Sequence, residues 1–128
     1  MKTTELVSSG EELLRKVEEL SGQDIKACYQ CGKCSGGCPF TLEMDLSPRE
    51  VIEFLLDGRV EVLSKEVIWF CASCFTCTVR CPNNIDIAAV CEALRQIILR
   101  HGLDRIDMKI SEDIPQIALV SSFRKMTG

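Results

Sequence analysis

Only 5% of the 128 residues are aromatic, with one tryptophan, one tyrosine and a single histidine. A core made chiefly of packed rings is excluded, and other cohesive forces must stand in for it. No stretch reaches the eighteen or so uncharged apolar residues that a membrane span requires, the best candidate being the segment 67–79, so no direct membrane span is expected. The opening MKTTELVSSGEELLRK is polar and charged and has no apolar signal core, which predicts a cytoplasmic protein. Period-two alternation is nearly missing, which argues against sheets. The formal charge of -4 offers no basic footprint, making nucleic acid an improbable partner. What remains is a length suited to one domain and 46% hydrophobic residues, enough for a core.

Against this plain background stand nine cysteines, eight of them in two copies of one pattern. Cys28, Cys31, Cys34 and Cys38 precede Pro39, and Cys71, Cys74, Cys77 and Cys81 precede Pro82, each residue matched 43 positions later. C-x2-C-x2-C-x3-C-P is the ligand run of bacterial-type two-cluster ferredoxins, so the spacing predicts two 4Fe-4S clusters and an electron carrier. Three thiolates at i, i+3 and i+6 can reach three irons of one cubane, and in this run the fourth cysteine serves the other cluster. The expected sets are therefore Cys28, Cys31, Cys34 and Cys81 for cluster 1, and Cys71, Cys74, Cys77 and Cys38 for cluster 2. Pro39 and Pro82 should turn the chain after each exchanged ligand. Gly32, Gly36 and Gly37 should let the backbone approach the sulfurs. Eight thiolates and two oxidised cores would bring the charge to about -8, and the apo-protein should fold poorly.

Other uses of these cysteines fit less well. Structural zinc usually takes two separated pairs, not a run of three followed by Cys-Pro. A disulfide framework needs an oxidising compartment, to which nothing in the N-terminal residues directs the chain. Cys91, outside both runs, shares a helical face with Ile87, Leu94 and Ile98 and reads as a buried structural thiol, with a ligand or redox role as the alternative.

Helical signals dominate the rest. Ser9-Gly10-Glu11-Glu12 has the form of a capping box before Leu13, Leu14, Val17 and Leu20, predicting a helix over about 10–20. Ser47-Pro48-Arg49-Glu50 starts a second, ending near Gly58. A segment 65–70, entered from a Ser64 cap, leads into the second cysteine run and places Trp69 and Phe70 where they can shield a cluster, although ordinary core packing is the reading favoured for Trp69. Asp86 should cap a long helix through about His101, with Gly102 as terminator.

A helical segment between the runs, with a helix on either side, resembles the all-α fold of the α-helical ferredoxins, the module also found in iron-sulfur subunits of succinate dehydrogenase and fumarate reductase. No C-x4-C-x2-C run of a plant-type 2Fe-2S domain accompanies it, so the module is expected to stand alone. The segments ACYQCGKCSGGCP, WFCASCFTCTVRCP and IPQIALVSSFRKMTG resemble the C subunit of heterodisulfide reductase over about 24–125. The resemblance implies an oxidoreductase complex in which the A subunit holds flavin and iron-sulfur centres and the B subunit reduces a disulfide. The C subunit relays electrons between them. In that family the disulfide-reducing subunit has paired Cys-Cys-Gly motifs, and this chain has no adjacent cysteines, so no substrate chemistry or catalytic residue is expected on it.

The expected organisation is an N-terminal helix in 1–23, a dicluster domain in 24–103 and a docking tail in 104–128. In that tail Ile117, Leu119, Val120, Phe123 and Met126 would either meet a neighbouring subunit or fold back. The alternatives to a dedicated subunit of the complex are a free dicluster ferredoxin and the iron-sulfur module of another oxidoreductase.

Overall fold

A computed structural model of the chain describes residues 7–100. The expected docking tail, His101 and Gly102 lie outside the described residues. Within them six helices and two 3₁₀ turns follow one another, and no strand occurs.

Helix α1 runs Gly10–Ser21, and its N-cap Ser9 accepts from the Glu12 N–H at 3.3 Å. The Glu12 carboxylate reaches past the cap to the Ser8 N–H at 3.1 Å and pairs with Lys16 at 2.7 Å. These contacts keep its pKa below the usual carboxylate value. Gly22, at φ 68, closes the helix in a left-handed C-cap, a conformation that costs a residue without Cβ little.

Helix α3, Pro48–Leu56, has the predicted capping box, with the Ser47 N–H donating to Glu50 Oε2 at 2.7 Å. It ends in a Schellman motif: Gly58 N–H donates to Leu55 O at 3.2 Å and Arg59 N–H to Phe54 O at 2.8 Å. The Arg59 guanidinium then lies 3.8 Å from the Phe54 ring centroid. Short helices α2 (Lys33–Gly37), α4 (Val67–Phe70) and α5 (Thr76–Arg80) belong to the cysteine loops, and α6 spans Ile87–Arg100.

The start of α4 differs from expectation. Ser64 ends the 3₁₀ turn Val60–Ser64, and the cap comes instead from Asp45, whose carboxylate accepts from Glu66 N–H at 3.0 Å and Val67 N–H at 2.8 Å. A carboxylate at this end satisfies two orphan donors at once. Asp86 caps α6 as predicted, accepting from Ala89 N–H at 3.2 Å.

Leu13 and Val17 of α1, Val51, Ile52 and Leu55 of α3, Val62 and Leu63 of the 3₁₀ turn and Val67 and Ile68 of α4 form one core with α6. Helix α6 buries Ile87, Val90, Cys91, Ala93, Leu94, Ile97 and Ile98, more than one face, because α1 packs on one side and α4 and α5 on another. No polar or charged residue among those described is fully buried.

Helix α1 begins in direct backbone contact with the end of α3. A Cβ on Gly10 would lie 1.9 Å from Gly58 O, closer than side-chain rotation could relieve. Gly10→Ala should therefore lower the thermal midpoint by an amount equivalent to about 2–3 kcal/mol, by prising α1 from α3. An unchanged midpoint in calorimetry would contradict that contact.

Candidate metal centres

The two cysteine runs repeat in backbone conformation as well as in sequence. Gln30 and Ser73, each two residues after the first cysteine of its run, have φ of 62 and 53. Gly32 and Phe75, each before a five-residue helix, have φ of 79 and 60. The fourth cysteines, Cys38 and Cys81, leave those helices with φ, ψ of -75, 121 and -71, 121. Pro39 and Pro82 then stand in turns, as predicted. Positive φ at Gln30, Ser73 and Phe75 is unfavourable for residues carrying a Cβ. Its recurrence at matched positions marks backbone held for a purpose. In the first loop the bend swings the Gln30 N–H onto Cys28 Sγ at 3.4 Å, with the Gln30 side-chain amide at 3.6 Å. After Asn84, at φ 56, the Ile85 N–H reaches Cys81 Sγ at 3.4 Å.

Of the three loop glycines only Gly32 adopts a left-handed conformation. Gly36 faces open space, and a Cβ on Gly37 would come within 2.6 Å of Arg80 Cδ. Gly37 thus makes room for an arginine of the other loop, where α2 and α5 pack together.

That packing crosses the two runs. One hollow of about 440 Å³, counting space open to solvent, is lined by Cys71, Cys74, Cys77 and Cys38. The other, of about 330 Å³, is lined by Cys28, Cys31, Cys34 and Cys81. Ile87, at the start of α6, lines both, so the hollows share a wall. The Asn83 amide donates to Ala27 O and Asp86 N–H to Gln23 Oε1 at 2.9 Å, fastening the segment after Cys81 to the chain entering Cys28. Thr78 Oγ1 also donates to the Asp86 carboxylate at 2.9 Å, tying α5 to the cap of α6.

The hollow of Cys28 presents four thiols and that of Cys71 five, Cys91 being the fifth, in an otherwise mainly apolar lining with no carboxylate or imidazole. The first hollow, that of Cys28, adds Ile52, Ile85, Gln30 and Arg49; the second, that of Cys71, adds Phe40, Met44, Pro48, Val67 and Phe75 among others. Soft sulfur donors in a low-dielectric wall are the set that iron-sulfur cubanes take. The thiols surround a space: among the described residues no three His, Cys, Asp or Glu side chains close on a single ion.

The thiols differ in acidity. Burial pushes Cys34 and its counterpart Cys77 up. The Thr76 hydroxyl, 3.4 Å from Cys74 Sγ, holds Cys74 down. Cys71 is lowered to about 6, first by a hydrogen bond from the Cys91 thiol, then by Ser73 and the nearby Arg95 charge. Cys91 is pushed far up by the same bond and by its burial.

Two side chains depart from expectation. Trp69 and Phe70 are 53% and 42% exposed, neither joins the core, and neither lines a hollow; Phe40 and Phe75 flank the second one instead. The four-residue helix α4 turns only Val67 and Ile68 inward. Cys91 is buried as predicted, and it also lines the second hollow.

Sequence reasoning missed Arg95. Its Nε donates to Ile68 O at 2.7 Å and an Nη to Cys71 O at 2.5 Å, clamping α4 and the first ligand position of the second run onto α6. Its signal is faint: one cation four residues after Cys91 in an apolar helix.

A 4Fe-4S dicluster domain family model matches residues 24–85. The chain is 39% identical over 95 residues to the C subunit of the ferredoxin:CoB-CoM heterodisulfide reductase of Methanosarcina mazei, a match covering 74% of this chain and 58% of that protein. It is 40% identical over 80 residues to the iron-sulfur C 2 subunit of the CoB–CoM heterodisulfide reductase of Methanocaldococcus jannaschii, covering 62% and 43%. With the C2 subunit of the H(2)/formate:CoB-CoM heterodisulfide,ferredoxin reductase of Methanococcus maripaludis it shares 36% over 78 residues, covering 61% and 42%. The chain thus spans about half the length of the curated relatives it matches.

Proposed function

We propose that the chain is a 4Fe-4S dicluster protein of the kind found as the C subunit of heterodisulfide reductase, and that it relays electrons between two partner subunits of such a complex, a reading supported by the dicluster match and by the similarity to those subunits. Two 4Fe-4S clusters, each able to take up and pass on one electron, supply the redox chemistry when bound. Cys28, Cys31, Cys34 and Cys81 hold one; Cys71, Cys74, Cys77 and Cys38 hold the other. The observation that carries this reading is the pair of hollows sharing Ile87, each lined by three cysteines of one run and the fourth of the other. Adjacent centres give an electron an entry and an exit.

The chain's own residues do the rest. The left-handed bend at Gln30 aims two donors at Cys28 sulfur and so stabilises its negative charge. Phe40, Met44 and Phe75 limit water beside the second centre. Arg95 and Asp45 fix the segment that delivers Cys71. No described helix is long and apolar enough to cross a membrane. We place the relay in the cytoplasm, between a flavin- and iron-sulfur-containing A subunit on one side and a disulfide-reducing B subunit on the other, with catalysis only in the assembled complex.

Anaerobically purified protein should hold about eight iron and eight acid-labile sulfide per chain, as two cubanes require. It should also copurify with a flavoprotein and a second cysteine-rich protein. Stoichiometric zinc without sulfide would end the cluster assignment; disulfide reduction by the isolated chain would end the relay.

A further inference from the structure

The second hollow contains a fifth cysteine and the first does not. Cys91 lies on α6, is 1% exposed, and lines the space bounded by Cys38, Cys71, Cys74 and Cys77. Cys71 lines the same space, and the two thiols are close enough to shift one another's acidity. At the first hollow the residues beside the four cysteines are aliphatic apart from Gln30 and Arg49. Arg95, held on Ile68 O and Cys71 O and close to Glu92 at 3.4 Å, is the charged group facing this pair from α6.

We propose that Cys91 is a positioning residue for the second cluster alone, donating its S–H to Cys71 Sγ and thereby raising that centre's reduction potential. The inference rests on the cluster assignment proposed above. When Cys71 ligates iron it does so as thiolate, which makes it the acceptor. A second buried thiolate beside it would place like charges together in a medium that screens them poorly, so the proton stays on Cys91. A buried S–H next to a thiolate has one strong acceptor available, and that acceptor gains negative charge when the cluster is reduced. Hydrogen bonds to ligand sulfur stabilise the reduced state more than the oxidised state and raise the potential. A cysteine serving only as core packing would have no such selectivity for one centre.

The test uses the holo-protein carrying Cys91→Ala or Cys91→Ser, both titrated anaerobically with dithionite and followed by electron paramagnetic resonance. The signal that Cys74→Ser alters identifies the second cluster. At the potential where that cluster is half reduced in the wild type, Cys91→Ala should lower its reduced-to-oxidised ratio on the order of fivefold, the scale of one weak charge-assisted hydrogen bond. The first cluster should not move. Cys91→Ser, which retains a donor in nearly the same volume, should recover most of the shift. Iron and sulfide counts on the same samples test the underlying assignment separately: wild-type protein without two clusters overturns both. Loss of four irons in Cys91→Ala would make Cys91 a ligand and sink the proposal. So would an unchanged potential, equal shifts at both centres, or a serine variant that behaves as alanine.

Discussion

Cys38→Ala should strip the second cluster and spare the first, although Cys38 belongs to the first cysteine run. About four irons should remain. The structure sets Cys38 in the hollow of Cys71, Cys74 and Cys77, across the packed helices α2 and α5 from its own run. Cys81→Ala should do the reverse, removing the centre associated with Cys28, Cys31 and Cys34. Serine replacements should give milder versions, since a hydroxyl can still ligate weakly. Iron and sulfide analysis with cluster-resolved spectroscopy reads the outcome. If Cys38→Ala abolishes the signal that Cys31→Ser alters, and preserves the one that Cys74→Ser alters, ligation is not exchanged.

Removing both clusters by anaerobic chelation should unfold the loops first and lower stability by a large margin. Helices α2, α4 and α5 are four or five residues long, far below the length at which a helix persists without outside support. Positive φ at Gln30, Ser73 and Phe75 adds strain that ligation would otherwise hold in place. If each centre contributes even about 3 kcal/mol to folding, its loss lowers the thermal midpoint by roughly 12–24 °C in a domain of this size. Hydrogen exchange should show protection lost across 28–44 and 71–84, while α1, α3 and α6, which share the apolar core, retain theirs longer. Equal protection in apo- and holo-protein would mean that the loops are held by packing alone.

The local signals were the most legible. Ser9 before α1, Ser47, Pro48 and Gly58 around α3, and Asp86 before α6 act within a few residues of themselves, so their chemistry reads directly from the chain. The duplicated cysteine spacing predicted two clusters, which the dicluster match over 24–85 supports, and the lack of strand alternation predicted the helical fold. The failures were at a distance. The cap of α4 comes from Asp45, twenty-two residues before Val67, where a local search found only Ser64. Trp69 and Phe70 are as apolar as core residues, but a helix of four residues has room to bury only part of itself.

By itself the sequence determined the two equivalent cysteine runs and the starts of α1, α3 and α6, because spacing and capping depend on neighbours a few bonds away. Only the tertiary structure decided that Gly37 accommodates Arg80, that Ile87 divides two hollows, and that Cys91 shares one of them with Cys71. Those relations depend on how α2 meets α5 and how α6 lies beneath both loops. Such packing is settled by the summed burial of many small contacts, none of which carries a signature in the local order of residues.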